Sequence, residues 1–494
     1  MQFANGLVAV ANIRFYEIVS KPVCWGAEMG AVAAALGYVD LFGRELLLFA
    51  GVWFAVGLVD EIAIDVLWLC LRIRGRGKAM PFHVPEGAPL RGPAAVLIPT
   101  WHEAAVIEQM IRSCRAAWPH RDCFFYVGCY PNDPDTIAAA RQGAGDDARV
   151  SIVVLPRSGP TTKADCLNGL YHALTRDEIE RGQCARFVVL HDAEDRVHPQ
   201  ALNLMDDRLE RADFVQLPVI PELNPDSRWI SGHYADEFAE SHMKTMVVRD
   251  WLNVALPAAG VGCAFKREIL ARIAEIRGAH QPFAPECLTE DYELGLLVHE
   301  LGGRSRFVRA LDPSGHLIAT REFFPATINA AVRQKSRWIQ GIAFQGWDRL
   351  GWSRNWAETW MRLRDRRGPL TAVVLLAAYT VIIVWTITAI AQLCGLYSPR
   401  PNAPLVEIIV ATGLFGVIWR GMMRSAFSSV LYGFAEGLRS VVRMPIANLI
   451  TIVAARRALA AYLRTLRGGE PIWEKTSHYL YPVKGISLSE APAE

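Results

Sequence analysis

The sequence has 494 residues, of which 52% are hydrophobic and 21% charged, and its mean hydropathy is +0.17. This composition excludes a disordered or fibrous chain and is more apolar than is usual for a soluble protein. The 52 basic and 50 acidic residues leave a formal charge of +2, which does not predict a nucleic-acid partner.

The first predicted elements are a surface segment and a membrane helix. Residues 1–45 mix basic and apolar residues without a signal-peptide pattern, so we predict an amphipathic, interfacial segment. Residues 46–71 are long and apolar enough to cross a bilayer, although they carry Asp60, Glu61 and Asp65. Acidic residues in a membrane segment indicate a function by default. Pairing with arginines of the carboxy-terminal tail, or a position at the water boundary, is the favoured interpretation.

Residues 72–367 alternate short apolar runs with helical patterns and predict a soluble domain. The apolar runs cover residues 94–100, 123–130, 150–156 and 187–195. Such alternation is typical of βαβ units, so the sequence predicts an α/β fold with a mostly parallel sheet covered by helices. Ligands of such sheets bind at the carboxyl ends of the strands. These ends fall at residues 99–103, 130–135 and 191–195.

Three acidic residues directly follow the fourth apolar run: Asp192, Glu194 and Asp195. Oxygen ligands at a strand end suit a hard divalent cation such as Mg²⁺ or Mn²⁺, which would bridge to substrate phosphates. An acidic turn that caps the next helix is the alternative. The triplet by itself does not decide between them.

Two further polar motifs follow in the same domain. The triplet Thr289-Glu290-Asp291 precedes a helical run and could be an ordinary helix amino terminus. The motif QKSRW, residues 334–338, lies in a predicted amphipathic helix, where Trp338 could simply pack inward. Neither motif decides the function alone.

The carboxy-terminal third predicts more membrane helices. Residues 370–396 contain no charge and predict a second span, residues 404–424 predict a third, and residues 425–494 predict interfacial or re-entrant helices and a cytoplasmic tail. Lysines and arginines gather at one end of each span, which predicts a multi-pass membrane protein with these ends in the cytoplasm. The 72–367 domain would then be cytoplasmic, and the loop 397–403 would lie outside.

The order and separation of DAED (192–195), TED (289–291) and QKSRW, followed by an uncharged span, resemble a known family. These motifs are typical of membrane-embedded family-2 glycosyltransferases, the group of the cellulose, chitin and hyaluronan synthases. The stretches YPNDPDT, HYADEFAESH, GVGCAF and IATREFFP are similar to inner-membrane glycosyltransferases of the phage adsorption protein B type. The resemblance implies a GT-A-like, Rossmann-type catalytic domain inserted between transmembrane and interfacial helices. Members often continue into a domain that senses cyclic di-GMP; because the sequence stops at Glu494, we do not expect that regulation here.

The same resemblance implies roles for the acidic motifs. Asp291, with Glu290 beside it, would take the proton of the acceptor hydroxyl, and a single base predicts inversion at the anomeric carbon. Asp192 and Glu194 would hold Mg²⁺ or Mn²⁺ on the diphosphate of the donor.

The remaining motifs would bind donor and acceptor. Arg337 would face the diphosphate, Trp338 would stack on an acceptor sugar, and Gln334 would hydrogen-bond near the acceptor terminus. The residues implied to contact the donor nucleotide are Pro99, Thr100, Glu103, Asp133 and Lys163.

We therefore predict a hexosyltransferase of exopolysaccharide biosynthesis that uses a nucleotide sugar, with UDP favoured, and extends a polysaccharide. Its expected partners are the nucleotide sugar, a glycan or lipid-linked acceptor, membrane lipid, and a periplasmic or outer-membrane export protein. Two alternatives stay open: a single-addition transferase that acts on a lipid-linked acceptor, and a catalytically silent receptor or scaffold.

Overall fold

The computed structural model describes residues 25–468, except residues 86, 279 and 400. The chain divides into two compact units, one of residues 1–59 and 373–417 and the other of residues 60–372 and 418–494. The larger unit contains the predicted soluble domain, and also the helix that follows residue 433.

The described strands and helices are as follows. The strands are β1 (Met80–Pro81), β2 (Ala94–Pro99), β3 (Cys123–Cys129), β4 (Val150–Val154), β5 (Phe187–Leu190), β6 (Phe214–Gln216), β7 (Val219–Glu222), β8 (Cys263–Lys266), β9 (Ser305–Phe307), β10 (Ala310–Leu311) and β11 (Thr320–Phe323). The α-helices are α1 (Trp25–Ile73), α2 (Ile107–Ala117), α3 (Pro134–Ala144), α4 (Lys163–Arg181), α5 (Ala201–Arg208), α6 (Gly232–Glu240), α7 (Met246–Trp251), α8 (Arg267–Ile276), α9 (Glu290–Glu300), α10 (Ile328–Ile339), α11 (Gly346–Leu350), α12 (Trp356–Arg366), α13 (Gly368–Leu393), α14 (Pro404–Tyr432) and α15 (Phe434–Leu466). Two π-helical turns, Ser241–Thr245 and Gln340–Gln345, continue α6 and α10.

A seven-stranded sheet forms the centre of the larger unit, in the order β4-β3-β2-β5-β8-β6-β9. Only β8 runs antiparallel to its neighbours in this sheet. The four predicted apolar runs are β2 to β5. The predicted α/β fold with a mostly parallel sheet is confirmed.

The sheet is buried on both faces. Alternate residues of β2 enter two different cores: Leu97 packs with α4 on one face, and Val96 and Ile98 pack with α2 on the other. Because both faces of the strand are covered, its sequence is continuously apolar instead of alternating. The polar residues that end these strands are therefore collected at one edge of the sheet.

A second, two-stranded sheet borders the first. Strand β11 pairs in parallel with β7, and Arg321 of β11 also forms an antiparallel bridge with Arg196, which follows the DAED motif. The two backbone hydrogen bonds of this bridge are 2.8 and 3.0 Å long. They place Glu322, the next residue of β11, beside the carboxyl end of β5.

Four described helices are long and apolar enough to cross a membrane: residues 30–73 of α1, and α13, α14 and α15. The sequence predicted three. The additional one, α15, lies in the segment predicted to be interfacial, and its length and composition are compatible with either placement.

Two predicted boundaries differ from the structure. Helix α1 is continuous from Trp25, so the predicted boundary at residue 46 falls inside it, and residues 1–24 of the predicted surface segment lie outside the described residues. Arg44 Nε donates to Asp40 Oδ2 at 2.9 Å one turn earlier, so these charges pair along the helix and do not end it. Helix α14 likewise extends to Tyr432, beyond the predicted end at residue 424.

The acidic residues of α1 are paired within the larger unit. Asp65 Oδ1 lies 2.6 Å from Lys244 Nζ. Asp60 and Glu61 accept hydrogen bonds from arginines of α12 and α14, namely Arg364, Arg367 and Arg420. The predicted pairing with arginines of the tail is therefore wrong in its partners, because the cations come from α12, α14 and the π-helical turn after α6.

Helix α15 packs on α6 and α10 of the larger unit through apolar and charged contacts. Ile450 and Ala454 are buried against Tyr234 of α6 and residues of α10. Arg443 Nη2 and Nε donate to the two carboxylate oxygens of Asp236 at 2.7 and 2.9 Å. Both side chains are at most 1% exposed, so the pair is fully removed from solvent.

Candidate active site

A cleft of about 830 Å³, measured with the space open to solvent, lies at the carboxyl ends of β2 and β5. The residues that line it are Pro99, Trp101, Glu103, Lys163, Asp192, Ala193, Glu194, Phe238, Ala259, Val261, Asp291, Glu322, Phe324, Gln334, Arg337 and Trp338. A smaller adjoining cavity of about 420 Å³ includes Glu290 and shares Lys163 and Asp291 with the cleft. All three motifs singled out from the sequence therefore reach the same place.

Lys163 is the central cation of this cleft. It is the first residue of α4, which is capped by the hydroxyl of Thr162. Its Nζ lies 2.6 Å from Asp192 Oδ1. Burial lowers the pKa of Lys163, but the carboxylates of Asp192, Glu290 and Asp291 outweigh it and raise the pKa above its usual value. Lys163 thus stays charged and neutralises acidic groups from both motifs.

Asp195, the last acid of DAED, is buried and forms a hydrogen bond to the backbone of the DAED turn. Its Oδ2 accepts from the backbone N–H of Asp192 at 3.1 Å and lies 2.6 Å from His191 Nδ1. Burial raises the pKa of Asp195, against the opposing effect of His191. Its Oδ1 is buried and has no hydrogen-bond partner among the described residues. Asp195 therefore orients the backbone that carries Asp192.

Glu322 is a fourth carboxylate at this end of the cleft, and the sequence analysis did not select it. Burial raises its pKa well above the usual value, and the negative charges of Asp195, Glu194 and Asp192 raise it further. The only sequence signal for it was its place in the IATREFFP stretch. The structure identifies it because the bridge between Arg196 and Arg321 brings β11 to the DAED turn.

These carboxylates fit a divalent cation that is shared with a substrate. Among the described residues, no group of three His, Cys, Asp or Glu side chains forms a complete protein site for a metal. Mg²⁺ and Mn²⁺ commonly take only one or two carboxylates and complete their shell with phosphate oxygens and water. Asp192 and Glu194 lie close enough to Glu322 to raise its pKa, and a bound cation would reduce this repulsion between the carboxylates.

The TED triplet opens α9 and brings Asp291 into the cleft. Asp291 Oδ1 accepts from the backbone N–H of Tyr292 at 2.7 Å. Burial raises the pKa of Asp291, while Lys163 opposes the rise. Burial, and then the charge of Asp291, raise the pKa of Glu290 to about 7. The pair therefore holds a proton more tightly than isolated carboxylates do.

This proton affinity leads to a prediction about pH. A base acts only when it is deprotonated, so kcat/KM should fall as the pH drops through the range in which the pair takes up a proton. The pKa of Glu290 is raised to about 7 and that of Asp291 is also raised, so this range lies above that of an ordinary carboxyl group. A profile of sugar transfer against pH, in buffers of constant ionic strength, measures this acid limb. An acid limb at the pKa of an ordinary carboxyl group would contradict the prediction.

The QKSRW motif lies on the last turns of α10. Gln334 Oε1 is buried in the cleft wall without a hydrogen-bond partner among the described residues, so it can accept from a ligand. Trp338 is only partly buried and meets Tyr234 edge to face, with ring centroids 5.9 Å apart. Trp338 therefore packs inward against Tyr234, and it also lines the cleft.

Two predicted donor-contact residues do not line the cleft. Thr100 is buried and its hydroxyl donates to the carbonyl of Gly128 at 2.6 Å. Asp133 caps α3 and accepts from the backbone N–H of His102 at 2.6 Å. In contrast, Trp101 lines the cleft and packs on Tyr130 with ring centroids 5.0 Å apart. Phe238 and Phe324 also line the cleft. The sequence did not predict this, because aromatic residues in apolar stretches usually indicate the hydrophobic core.

The sequence of this cleft domain matches a family model. Residues 92–341, just over half of the chain, match the model described as "Glycosyltransferase like family 2". Two curated relatives, bacteriophage adsorption protein B of Escherichia coli (strain K12) and bacteriophage N4 adsorption protein B of Escherichia coli O157:H7, are each 33% identical over 493 residues. The alignments cover 92% of this chain, which spans 64% of the length of each relative.

Solved structures with a similar chain path include two glycosyltransferases. A mannosyltransferase from Pyrobaculum calidifontis, in complex with GDP-mannose and Mn²⁺, is 16% identical, with 86% of this chain and 99% of that chain covered and a TM-score of 0.47. Glucosyl-3-phosphoglycerate synthase from Mycobacterium tuberculosis, in complex with Mg²⁺ and UDP, is 17% identical, with 53% and 84% covered and a TM-score of 0.31.

Proposed function

Because this chain belongs to the family-2 glycosyltransferases, we propose that its cleft performs an inverting, metal-dependent transfer of a sugar from a nucleotide diphosphate sugar to a growing polysaccharide. The observation that carries the proposal is the convergence of Asp192, Asp291 and Arg337 on one cleft, from three elements far apart in the sequence. A silent receptor or scaffold has no use for a base, a cation site and a guanidinium in one place.

The acidic end of the cleft is assigned to the leaving group. Asp192 and Glu194 would hold Mg²⁺ or Mn²⁺, which supplies positive charge to the diphosphate as its bond to the sugar breaks. Lys163 and Arg337 add two further cations to the cleft. Arg337 suits the diphosphate because its guanidinium is permanently charged and binds phosphate oxygens in pairs.

The opposite end is assigned to the acceptor. Asp291 takes the proton of the attacking hydroxyl, and its raised pKa suits that role because a base is most effective with a pKa near the working pH. We assign Asp291 alone as the base opposite the leaving group, so the attack would come from the opposite side and invert the anomeric carbon. Trp338 provides an apolar surface for a sugar ring, and Gln334 Oε1 accepts a hydrogen bond from a sugar hydroxyl.

The nucleotide is assigned to the mouth of the cleft beside β2. Pro99 and Glu103 line this part of the cleft, and Trp101 adds an aromatic ring on which the nucleotide base can stack. We favour UDP as the carrier. The structural roles of Thr100 and Asp133 remove them from the direct contacts that we propose.

The full chain, purified in detergent, tests this function with a panel of nucleotide sugars. Release of a nucleoside diphosphate, together with a glycan of high mass, is the expected result with one donor and Mn²⁺. A product confined to a lipid-extractable monosaccharide would support the single-addition alternative instead. No release of a nucleoside diphosphate from any donor would leave the receptor interpretation.

We further propose an inner-membrane location with the cleft in the cytoplasm, and export of the product with a periplasmic or outer-membrane partner. Two exposed free cysteines test the orientation, Cys184 in the cleft domain and Cys394 beside the predicted outside loop 397–403. In single-cysteine variants on intact spheroplasts, an impermeant maleimide should label Cys394 and spare Cys184, which should react only after lysis. Labelling of Cys184 before lysis would reverse the proposed orientation.

A further inference from the structure

The π-helical turn Gln340–Gln345, directly after QKSRW, lies against the loop that leads into TED. A π-turn is a rare interruption of an α-helix and is frequent at functional sites. Two of its residues, Gly341 and Gln345, stand four positions apart and both contact residues 286–289. Gln345 forms hydrogen bonds to this loop, and Gly341 lies in close contact with Thr289.

Gln345 binds the backbone of this loop with both ends of its amide. Its Oε1 accepts from the N–H of Leu288 at 3.1 Å, and its Nε2 donates to the carbonyl of Glu286 at 3.3 Å. The side chain is 9% exposed. Because the Gln345 side chain is buried and bonds two backbone groups of the loop at once, it ties residues 286–288 to the π-turn.

Gly341 makes the closest approach to the motif itself. A Cβ atom at this position would stand 2.4 Å from Thr289 Oγ1, 2.6 Å from its Cγ2 and 3.0 Å from its Cβ. Contacts of this length are not tolerated, so only glycine allows α10 and its π-turn to reach the TED loop. Any side chain here would displace Thr289.

The amino terminus of α9 lacks the support that helices usually carry. Thr289 occupies the capping position, but its side chain makes no capping hydrogen bond, and its Oγ1 is buried without a partner among the described residues. The first turn of α9 is therefore held from outside, by the π-turn, instead of by its own cap. Asp291 lies in that first turn.

We infer that Gly341 and Gln345 are positioning residues that hold Asp291 in place relative to Arg337 and Trp338. Arg337 and Trp338 lie on α10, which continues into the π-turn that carries Gly341 and Gln345. The inference rests on the proposed function, since it gives the π-turn the task of holding the base. It explains why QKSRW and TED come together: one segment carries the diphosphate and acceptor contacts and also clamps the loop of the base.

A pair of substitutions at the close contact tests the inference. Gly341→Ala should lower kcat by about 10²-fold, as expected for a reacting group displaced by about 1 Å, while the dissociation constant for UDP stays that of the wild type. Thr289→Ala removes Oγ1 and Cγ2, the two atoms nearest the new methyl group. The double variant should therefore be more active than Gly341→Ala alone.

Two controls separate positioning from general damage. Gly143→Ala creates a comparable clash, 2.8 Å from the carbonyl oxygen of Glu108, far from the cleft, and should lower the melting temperature without lowering kcat. Gln345→Met removes both hydrogen bonds at similar volume and should lower kcat more than it changes KM. Its match is Asn203→Leu, which removes an equally buried amide bonded to Ala88 and His120 and should affect stability only.

The outcomes are distinct. Wild-type kcat in Gly341→Ala and Gln345→Met, or a double variant whose losses multiply, would overturn the positioning role. Faster hydrogen exchange at the Leu288 amide in Gln345→Met is the expected readout that does not depend on activity. A wild-type chain that transfers no sugar would instead refute the proposed function on which the inference rests.

Discussion

Asp291→Asn should abolish sugar transfer while the protein still binds UDP. The amide keeps the size of the side chain and can still accept from the N–H of Tyr292, but it cannot take a proton from the acceptor. General bases contribute about 10²–10⁴-fold to a rate, so kcat should fall by at least about 10²-fold. Initial rates of nucleoside diphosphate release, with UDP affinity measured by calorimetry, test both parts.

Glu293→Gln is the matched control on the same helix. Glu293 is 5% exposed, and it pairs with Arg277 at 2.6 Å and with Arg349 at 2.7 Å instead of lining the cleft. Its amide variant should unfold at a lower temperature and retain the wild-type kcat. Full turnover by Asp291→Asn, or an equal loss of kcat in both variants, would contradict the assignment of the base.

Asp192→Asn should remove the metal dependence of donor binding. Substitution of residues that merely support a metal ligand costs about 10–100-fold in affinity, so the loss of a direct ligand should cost at least that much. The substitution also removes the negative charge with which Lys163 pairs at 2.6 Å, so that more of the charge of this cation acts on the diphosphate. We therefore expect weak donor binding that no longer responds to Mn²⁺.

Titration of Mn²⁺ in the presence of UDP, followed by electron paramagnetic resonance, measures this effect. Asp206→Asn serves as the control. Asp206 is a buried carboxylate of α5 that pairs with Arg186 at 2.8 Å and does not line the cleft. It should bind Mn²⁺ and UDP like the wild type. Donor affinity of the wild type that is unchanged by EDTA would refute the metal site.

The sequence predicts the sheet well because the signals of its strands are local. Strands β2 to β5 are uninterrupted apolar runs that end in polar residues, and the rule that ligands bind at such ends points directly to Asp192 and Glu103. The cleft walls formed by TED and QKSRW were found through the resemblance to a family, since neither motif is distinctive by itself.

The residues that the sequence missed depend on contacts between distant segments. Glu322 becomes part of the site only through the bridge between Arg196 and Arg321, and no local pattern announces that pairing. Asp133 shows the opposite error, because an acid after a strand suggests a ligand contact until its role as a helix cap is visible. The close approach of Gly341 to Thr289 likewise cannot be read from spacing.

The buried pair of Asp236 and Arg443 has a consequence for any effort to obtain the cleft domain as a water-soluble fragment. A chain that ends before residue 434 would lose Arg443 and leave the Asp236 carboxylate with the hydroxyl of Ser428 but without its cation, and the loss of one partner of a buried ion pair typically costs about 3–5 kcal/mol. The same cut would strip Tyr234 and α10, the helix that carries QKSRW, of their apolar cover. The transferase and its last described helix therefore form one folding unit, and preparations of the active enzyme should keep them together.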